Sequence, residues 1–252
     1  MIQVDKLAKF FHDKKRGVVH ALDHVSFEVK EREIFGLLGP NGAGKTTCLR
    51  LLATILKPTE GTATVGGADI VRSPEQVRRK IGFLSGDMGS YARLTPREVL
   101  AFFGKLNGLE GQKLRQGIDE MVRIFEFGEY ANTKIDKLST GMKQKVAIAR
   151  TVLHDPPILI LDEPSAGLDV PTARLIENFI LQAKESGKSI IFSTHVMEEA
   201  EYLCDRIGVV HQGKLAAIGT MDQLRELTGK QRLREIFLDL LDMSERGQGA
   251  RA

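Results

Sequence analysis

One octapeptide constrains this chain more than any other feature. It is Gly39-Pro40-Asn41-Gly42-Ala43-Gly44-Lys45-Thr46, set between the apolar run Ile34-Phe35-Gly36-Leu37-Leu38 and a segment of helical pattern. The glycines let the backbone curl until several N–H groups point inward at phosphate oxygens. A helix that starts where the loop ends adds the positive end of its dipole. Lys45 supplies a mobile charge for the β- and γ-phosphates, and the Thr46 hydroxyl is a hard oxygen for Mg²⁺. Thr47, on the same turn, joins the phosphate-binding set. A glycine-rich turn alone is a weak signal; in its strand–loop–helix context the pattern predicts nucleotide binding.

A second motif complements it. The run Ile158-Leu159-Ile160-Leu161 ends in Asp162-Glu163. In an open α/β sheet the carboxyl ends of strands face the ligand crevice, so both acids are aimed at the bound group. Asp162 is placed to hold Mg²⁺, directly or through water, and Glu163 to polarise a water for attack on the γ-phosphate. A strand that merely ends in surface acids is the competing explanation, and the phosphate loop decides against it.

Strand patterns fall at residues 2–4, 25–29, 34–38, 61–65 and 81–84, with a helix at 44–56. They return at 158–161, 189–192, 207–210 and 214–217 with helices between. Such alternation predicts α/β layers around a parallel sheet. From Pro96 to about Leu153 the pattern is helical throughout, with helices expected from Pro96, over 112–125 and over 140–154; Thr95 and Glu98 form a capping-box pattern with Pro96 at the first turn. This block reads as a helical insertion. Residues 231–241 suit a short amphipathic helix, and the polar end SERGQGARA a frayed tail. The run Asp13-Lys14-Lys15-Arg16 reads as a hairpin turn, and Phe102, Phe103, Phe125 and Phe127 as core of the helical block.

Composition removes several classes. The 252 residues carry 36 basic and 33 acidic side chains, a net charge of +3, too even for nucleic acid or an anionic membrane as the main partner. With no Trp and 3 Tyr, platforms for stacking bases are scarce. No apolar run approaches the ~20 residues of a membrane span, and the first residues carry no signal-peptide pattern. Cys48 and Cys204 lack metal-ligand spacing; one disulfide is arithmetically possible but not expected in a reducing compartment.

Three further motifs complete an order. Leu138-Ser139-Thr140-Gly141-Met142-Lys143-Gln144 precedes a helix, Pro164-Ser165-Ala166-Gly167-Leu168-Asp169 follows the acid pair, and Ser193-Thr194-His195 ends the next strand. The five motifs in this order resemble the nucleotide-binding subunit of an ABC transporter, over about residues 1–225. The resemblance implies a P-loop NTPase fold of ABC ATPase type: a parallel-sheet core, an antiparallel β subdomain and an inserted helical subdomain. It implies an ATP-binding domain over 1–230, with the helical subdomain at about 87–156, then a short C-terminal helix and flexible tail over 231–252. It also implies ATP and Mg²⁺ as cofactors. In this family Phe11 matches the aromatic that stacks on adenine, unless it is a core residue. Ser139 and Gly141 match the signature loop, which contacts the γ-phosphate held by the opposite subunit, and Asp169 the loop that crosses the dimer interface. Glu163 matches the catalytic glutamate, and His195 the histidine on the γ-phosphate. The implied assembly is a head-to-tail dimer, a homodimer here, working on a separate transmembrane permease at the cytoplasmic face of the membrane.

Three departures from the family pattern matter. Ser85-Gly86-Asp87 stands where a Gln reaching Mg²⁺ is usual, so Asp87 is a candidate oxygen ligand in its place. Thr140 and Met142 replace the commoner Gly and Gln. Arg32 occupies a turn position where Gly is common. Together with Arg150-Thr151-Val152-Leu153-His154-Asp155-Pro156 and Ile81-Gly82-Phe83-Leu84, these segments resemble the ATPase subunits of sodium exporters, with those of drug and polysaccharide exporters as wider relatives. The alternative from another class is a soluble ABC-type switch acting on nucleic acid or ribosomes. Such relatives carry long coiled coils or paired cassettes with a basic linker, features this chain lacks. A nucleotide binder without turnover is opposed by the presence of both Glu163 and His195.

Overall fold

The computed structural model describes residues 1–13, 17–85 and 91–245. Its centre is a six-stranded sheet in the order β10-β9-β3-β8-β7-β6. The strands are β3 (Ile34–Leu38), β6 (Ile81–Leu84), β7 (Ile158–Asp162), β8 (Ser189–Thr194), β9 (Arg206–His211) and β10 (Lys214–Gly219). All neighbours are parallel except β9 and β10. Every residue of β3 and β8 is buried. A strand covered on both faces loses polar alternation, which is why these segments read as unbroken apolar runs.

A second, antiparallel sheet has the order β2-β1-β4-β5, formed by β1 (Ile2–Asp13), β2 (Gly17–Val29), β4 (Glu60–Val65) and β5 (Ala68–Asp69). Here the structure corrects the sequence expectation. The strands expected at 2–4 and 25–29 are the buried roots of a much longer ribbon, paired from Ile2↔Val29 out to Asp13↔Gly17. The first four residues of β2 are exposed, so no apolar pattern marks them. The expected turn at 14–16 lies outside the described residues.

The helices are α1 (Lys45–Leu52), α2 (Pro74–Lys80), α3 (Pro96–Leu106), α4 (Gly111–Ile124), α5 (Thr140–Val152), α6 (Val170–Glu185), α7 (Met197–Leu203), α8 (Met221–Thr228) and α9 (Leu233–Glu245). α1 stops four residues before the expected end. Thr54 turns left-handed at φ 61°, and the N–H groups of Ile55 and Leu56 return to the Arg50 carbonyl, which satisfies the last turn and ends it. α2 was not legible, because only Val77 of its seven residues is buried.

The block 96–152 contains helices and two short 3₁₀ turns. α3 opens with the expected reciprocal cap: Glu98 N–H donates to Thr95 Oγ1, and Thr95 N–H donates to Glu98 Oε2 at 2.8 Å. Phe125 and Phe127 are fully buried in a core that continues onto Leu161 and Phe192 of the central sheet. Phe102 departs from its expected place: it stands on the outer side of α3, 54% exposed. α9 buries Leu233, Ile236, Phe237 and Leu240, an i, i+3, i+4, i+7 stripe, in a cluster with Ile207 and Val209 of β9 and Ala200 of α7. Residues 246–252, expected as a tail, lie outside the described set. Both cysteines are free. Burial pushes the Cys48 thiol up to about 12 and holds Cys204 well above the ordinary range, so neither is a ready nucleophile.

Arg32, in the turn between β2 and β3, has φ 57°. A side chain there costs roughly 1–2 kcal/mol. Its N–H donates to Ser189 Oγ at 3.2 Å, a contact that needs no side chain. Arg32→Gly relieves that strain, and the freer unfolded chain takes back roughly 0.4–1 kcal/mol. Thermal denaturation of the variant is expected to show a midpoint about 1–4 °C higher; an unchanged or lower midpoint would show that the guanidinium itself stabilises the turn.

Candidate nucleotide-binding and hydrolysis site

The site lies where β3, β7 and β8 end together. Their parallel registers, Leu38↔Thr194 and Asp162↔Ser193, bring the loop after β3, the acids ending β7 and the histidine after β8 to one edge. Loop 39–44 is pressed from outside by β2 and the β9–β10 turn. Gly44 has φ 109°, and a Cβ there would stand 2.4 Å from the Ala21 carbonyl oxygen. A Cβ on Gly39 would stand 2.3 Å from the Val210 carbonyl oxygen. Both positions demand glycine by contact, and Gly44 by conformation as well. Gly213 N–H donates to the Ala43 carbonyl at 2.9 Å, and Asp23 N–H of β2 donates to the Gly213 carbonyl at 2.8 Å.

Lys45 opens α1 and is buried. Its Nζ donates to the carbonyls of Gly39 at 2.8 Å and Pro40 at 3.1 Å, and lies 3.5 Å from Glu163 Oε1. Thr46 Oγ1 donates to Asp162 Oδ1 at 3.0 Å. His195 Nδ1 is 3.2 Å from Glu163 Oε1. Thus Lys45, Thr46, Asp162, Glu163 and His195, distant in sequence, form one connected group. Pro40, Asn41 and Gly42 are exposed on the loop, Ala43 is buried beneath it, and Thr47 is half-buried on α1.

The remaining expected residues fall into two places. Phe11 pairs with Val19 near the end of the ribbon and is 39% exposed, with Lys9 Nζ 5.3 Å from its ring centre; it is a surface aromatic and not core. β2 carries its partner strand past the phosphate loop at Ala21. Ser139 caps α5, its Oγ accepting from Met142 N–H at 3.2 Å. Asp169 caps α6, accepting from Thr172 N–H at 2.9 Å and from Thr172 Oγ1 at 3.1 Å; these bonds hold its carboxyl below the usual range. A Cβ on Gly141 would lie 3.6 Å from Asp169 Oδ2, so the two loops adjoin. Among the described residues, no hydrogen bond or ion pair joins Ser139, Gly141 or Asp169 to the 39–46 group. Asp87 lies outside the described residues.

Two side chains escaped sequence reasoning. Ser193 is wholly buried, donates to Asp162 Oδ1 at 2.7 Å and accepts from Glu163 N–H at 3.0 Å. Glu199 of α7, buried beneath the site, accepts a short hydrogen bond from Ser165 Oγ. Burial pushes its carboxyl up, with the bonds from Ser165 and Thr194 opposing. Only the quoted Ser-Thr-His triplet hinted at the first; nothing in the sequence pointed to the second.

A glycine loop at a helix start, a buried lysine and paired acids at parallel strand ends define a P-loop ATPase. Comparison with known proteins narrows the class. The ABC transporter family profile matches residues 22–166. The chain is 40% identical to the ABC transporter ATP-binding protein NatA of Bacillus subtilis, over 96% of this chain and 98% of that one. It is 36% identical to the bacitracin transport ATP-binding protein BcrA of Bacillus licheniformis, over 91% of this chain and 73% of that one. A solved ATP-binding subunit of an ABC transporter superposes with a TM-score of 0.86 at 29% identity, covering 96% of this chain and 99% of that one. A dimeric ATP-binding cassette with bound ADP and Pi superposes at 0.80 with 27% identity, covering 87% and 98%. The chain belongs to the ABC transporter family. It has the ABC ATPase fold and is the ATP-hydrolysing, ATP-binding subunit of such a transporter.

The raised carboxyl of Glu199 has a thermodynamic sign. The folded protein binds its proton more tightly than the unfolded chain, so stability from this group is full below the ordinary glutamate range and declines as pH rises through it toward the raised value. Glu199→Gln can still accept from Ser165 but has no charge to bury. Melting curves from pH 4 to pH 8, a span of about four units around that range, are expected to fall less steeply for the variant; identical slopes would show that Glu199 ionises freely.

Proposed function

We propose that the connected group of Lys45, Thr46, Asp162, Glu163 and His195 is the hydrolytic centre, and that two copies of the chain enclose two ATP molecules to power export through a separate membrane permease. The observation that carries this reading is the convergence of Lys45 Nζ and His195 Nδ1 on one oxygen of Glu163, at 3.5 and 3.2 Å. Lys45 Nζ, held at the loop carbonyls, binds the β- and γ-phosphates, which the N–H groups of 39–47 cradle. Glu163 orients the attacking water and takes its proton, and His195 fixes the glutamate and meets the γ-phosphate. Phe11 stacks on the adenine. Ser139 and Gly141 close over the γ-phosphate of the opposite copy, with Asp169 across the interface. The support is the resemblance of 138–144 and 164–169 to the family's loops, together with the approach of Gly141 to Asp169.

The residues suit Mg²⁺. Thr46 and Asp162 offer two hard oxygens 3.0 Å apart, and this ion typically takes one or two protein oxygens, with phosphates and water supplying the rest. When bound it would be held by the Thr46 hydroxyl and the Asp162 carboxylate, with Asp87 as a further candidate, and would neutralise charge on the phosphates. Among the described residues, no cluster of three or more His, Cys, Asp or Glu offers a metal site of another kind.

The exported substrate we assign is the sodium ion. The support is the resemblance of the 81–87, 138–144 and 150–156 segments to sodium-exporter subunits and the 40% identity to NatA. The relation to a bacitracin transport protein makes a drug the competing cargo. No helix among the described residues is long and apolar enough to cross a membrane, in keeping with a subunit docked on the permease at the cytoplasmic face.

Glu163→Gln is expected to keep ATP affinity while turnover drops roughly 10²- to 10⁴-fold, with an ATP-bound dimer accumulating in size-exclusion chromatography; undiminished phosphate release would overturn the assigned role. Lys45→Ala is expected to abolish binding of Mg-ATP. In inside-out vesicles holding this chain and its permease, ATP is expected to drive sodium uptake. ATP-dependent uptake of a cationic drug instead would reassign the cargo.

A further inference from the structure

The catalytic acids assigned above are adjacent in sequence yet carry opposite duties: Asp162 must present an oxygen to a cation, and Glu163 must turn toward water. Adjacent residues of a strand point to opposite faces, so continuing β7 by one residue would send the Glu163 side chain away from Asp162. The chain avoids this by leaving the strand. Glu163 has φ 47°, left-handed backbone that a side-chain-bearing residue rarely adopts because it is strained. Something must hold that turn, and a single atom touches both halves of it.

Ser193 sits on β8 in register with Asp162. Its Oγ donates to Asp162 Oδ1 at 2.7 Å and accepts the Glu163 N–H at 3.0 Å. Asp162 Oδ1 receives a second hydroxyl, that of Thr46, at 3.0 Å. The serine is 0% exposed, so water cannot replace either bond. One hydroxyl therefore fixes the carboxylate plane of Asp162 and the backbone direction from which the Glu163 side chain departs. That side chain then reaches Lys45 and His195. Alanine would leave Glu163 N–H without its partner and Asp162 with one donor fewer, while the fold around it has no bulk to lose.

We propose that Ser193 is a positioning residue for hydrolysis, setting the relative orientation of Asp162 and Glu163 without touching the nucleotide; this rests on the roles given to those two acids above. Because it acts through Asp162 and Glu163, its effect is confined to the metal requirement and to the chemical step.

The test is steady-state ATPase with ATP binding and melting measured on each protein. Ser193→Ala is expected to lower kcat roughly 10- to 100-fold. KM for ATP stays within about twofold, and the Mg²⁺ concentration for half-maximal rate rises. Ser193→Thr, which keeps the hydroxyl, is expected to recover most of the rate. In single-turnover reactions at saturating Mg²⁺, adding Ser193→Ala to Glu163→Gln is expected to slow cleavage by no more than about twofold further, since the glutamate it positions is already disabled and the metal demand is met. Should the alanine variant fail to fold, the near-isosteric Ser193→Cys takes its place in both backgrounds. The proposal is overturned by an unchanged kcat in a folded variant, by a rate loss matched by equal loss of ATP affinity, or by full multiplication of the two effects in the double variant. If Glu163→Gln alone turns over normally, the assignment of Glu163 fails instead, and the single Ser193→Ala rate remains a separate result.

Discussion

The parallel ladder β7–β8–β3 is the constraint on which the site depends. Loop 39–44 hangs from β3, the acids from β7 and the histidine from β8, so the ladder sets their relative heights. A slip of one residue in either pairing would turn every side chain of a strand to the opposite face. Complete burial of β3 and β8 forbids that slip, because both faces are committed to separate cores. The apolar interior thus sets the positions of charged atoms at its rim to within hydrogen-bond distance.

At that rim the electrostatics are arranged around Glu163. A left-handed backbone aims it, a buried ammonium and an imidazole meet the same oxygen, and a buried hydroxyl holds its N–H. If Glu163 is the hydrolytic group proposed above, its direction is set before any substrate enters. Beneath it, Glu199 ties α7 to Ser165, the segment that leads from Glu163 toward Asp169. The helix after His195 and the loop after Glu163 are therefore joined behind the site as well as within it.

Much of this was legible in the amino-acid order, for a physical reason. Phosphate cradling needs glycines, a lysine and a hydroxyl at consecutive positions, and a buried strand needs an unbroken apolar run, so the loop and the strands at 34–38 and 158–161 stand out. The capping box at Thr95 is equally local. What was hidden is what tertiary contact decides. The tip of the β1–β2 ribbon, with Phe11, His12 and residues 17–20 all exposed, leaves no periodic trace. α2 buries one residue. Phe102 faces outward although its neighbour Phe103 packs inward, a choice made by the turn of α3. Ser193 meets Asp162 and Glu163, and Glu199 meets Ser165, across 30 or more positions, and a serine or glutamate carries no mark of such a partner.

The ribbon and the phosphate loop meet at one place, where the Ala21 carbonyl lies against Gly44 and the Gly213 bonds tie the antiparallel sheet to the central one. A ligand whose ring rests on Phe11 and whose tail lies in the loop would touch both sheets at once. It would act as a rivet: its affinity would add to the cohesion between the two layers instead of to either alone. Loading the protein would then reinforce, at the rim, two layers that already share one apolar core.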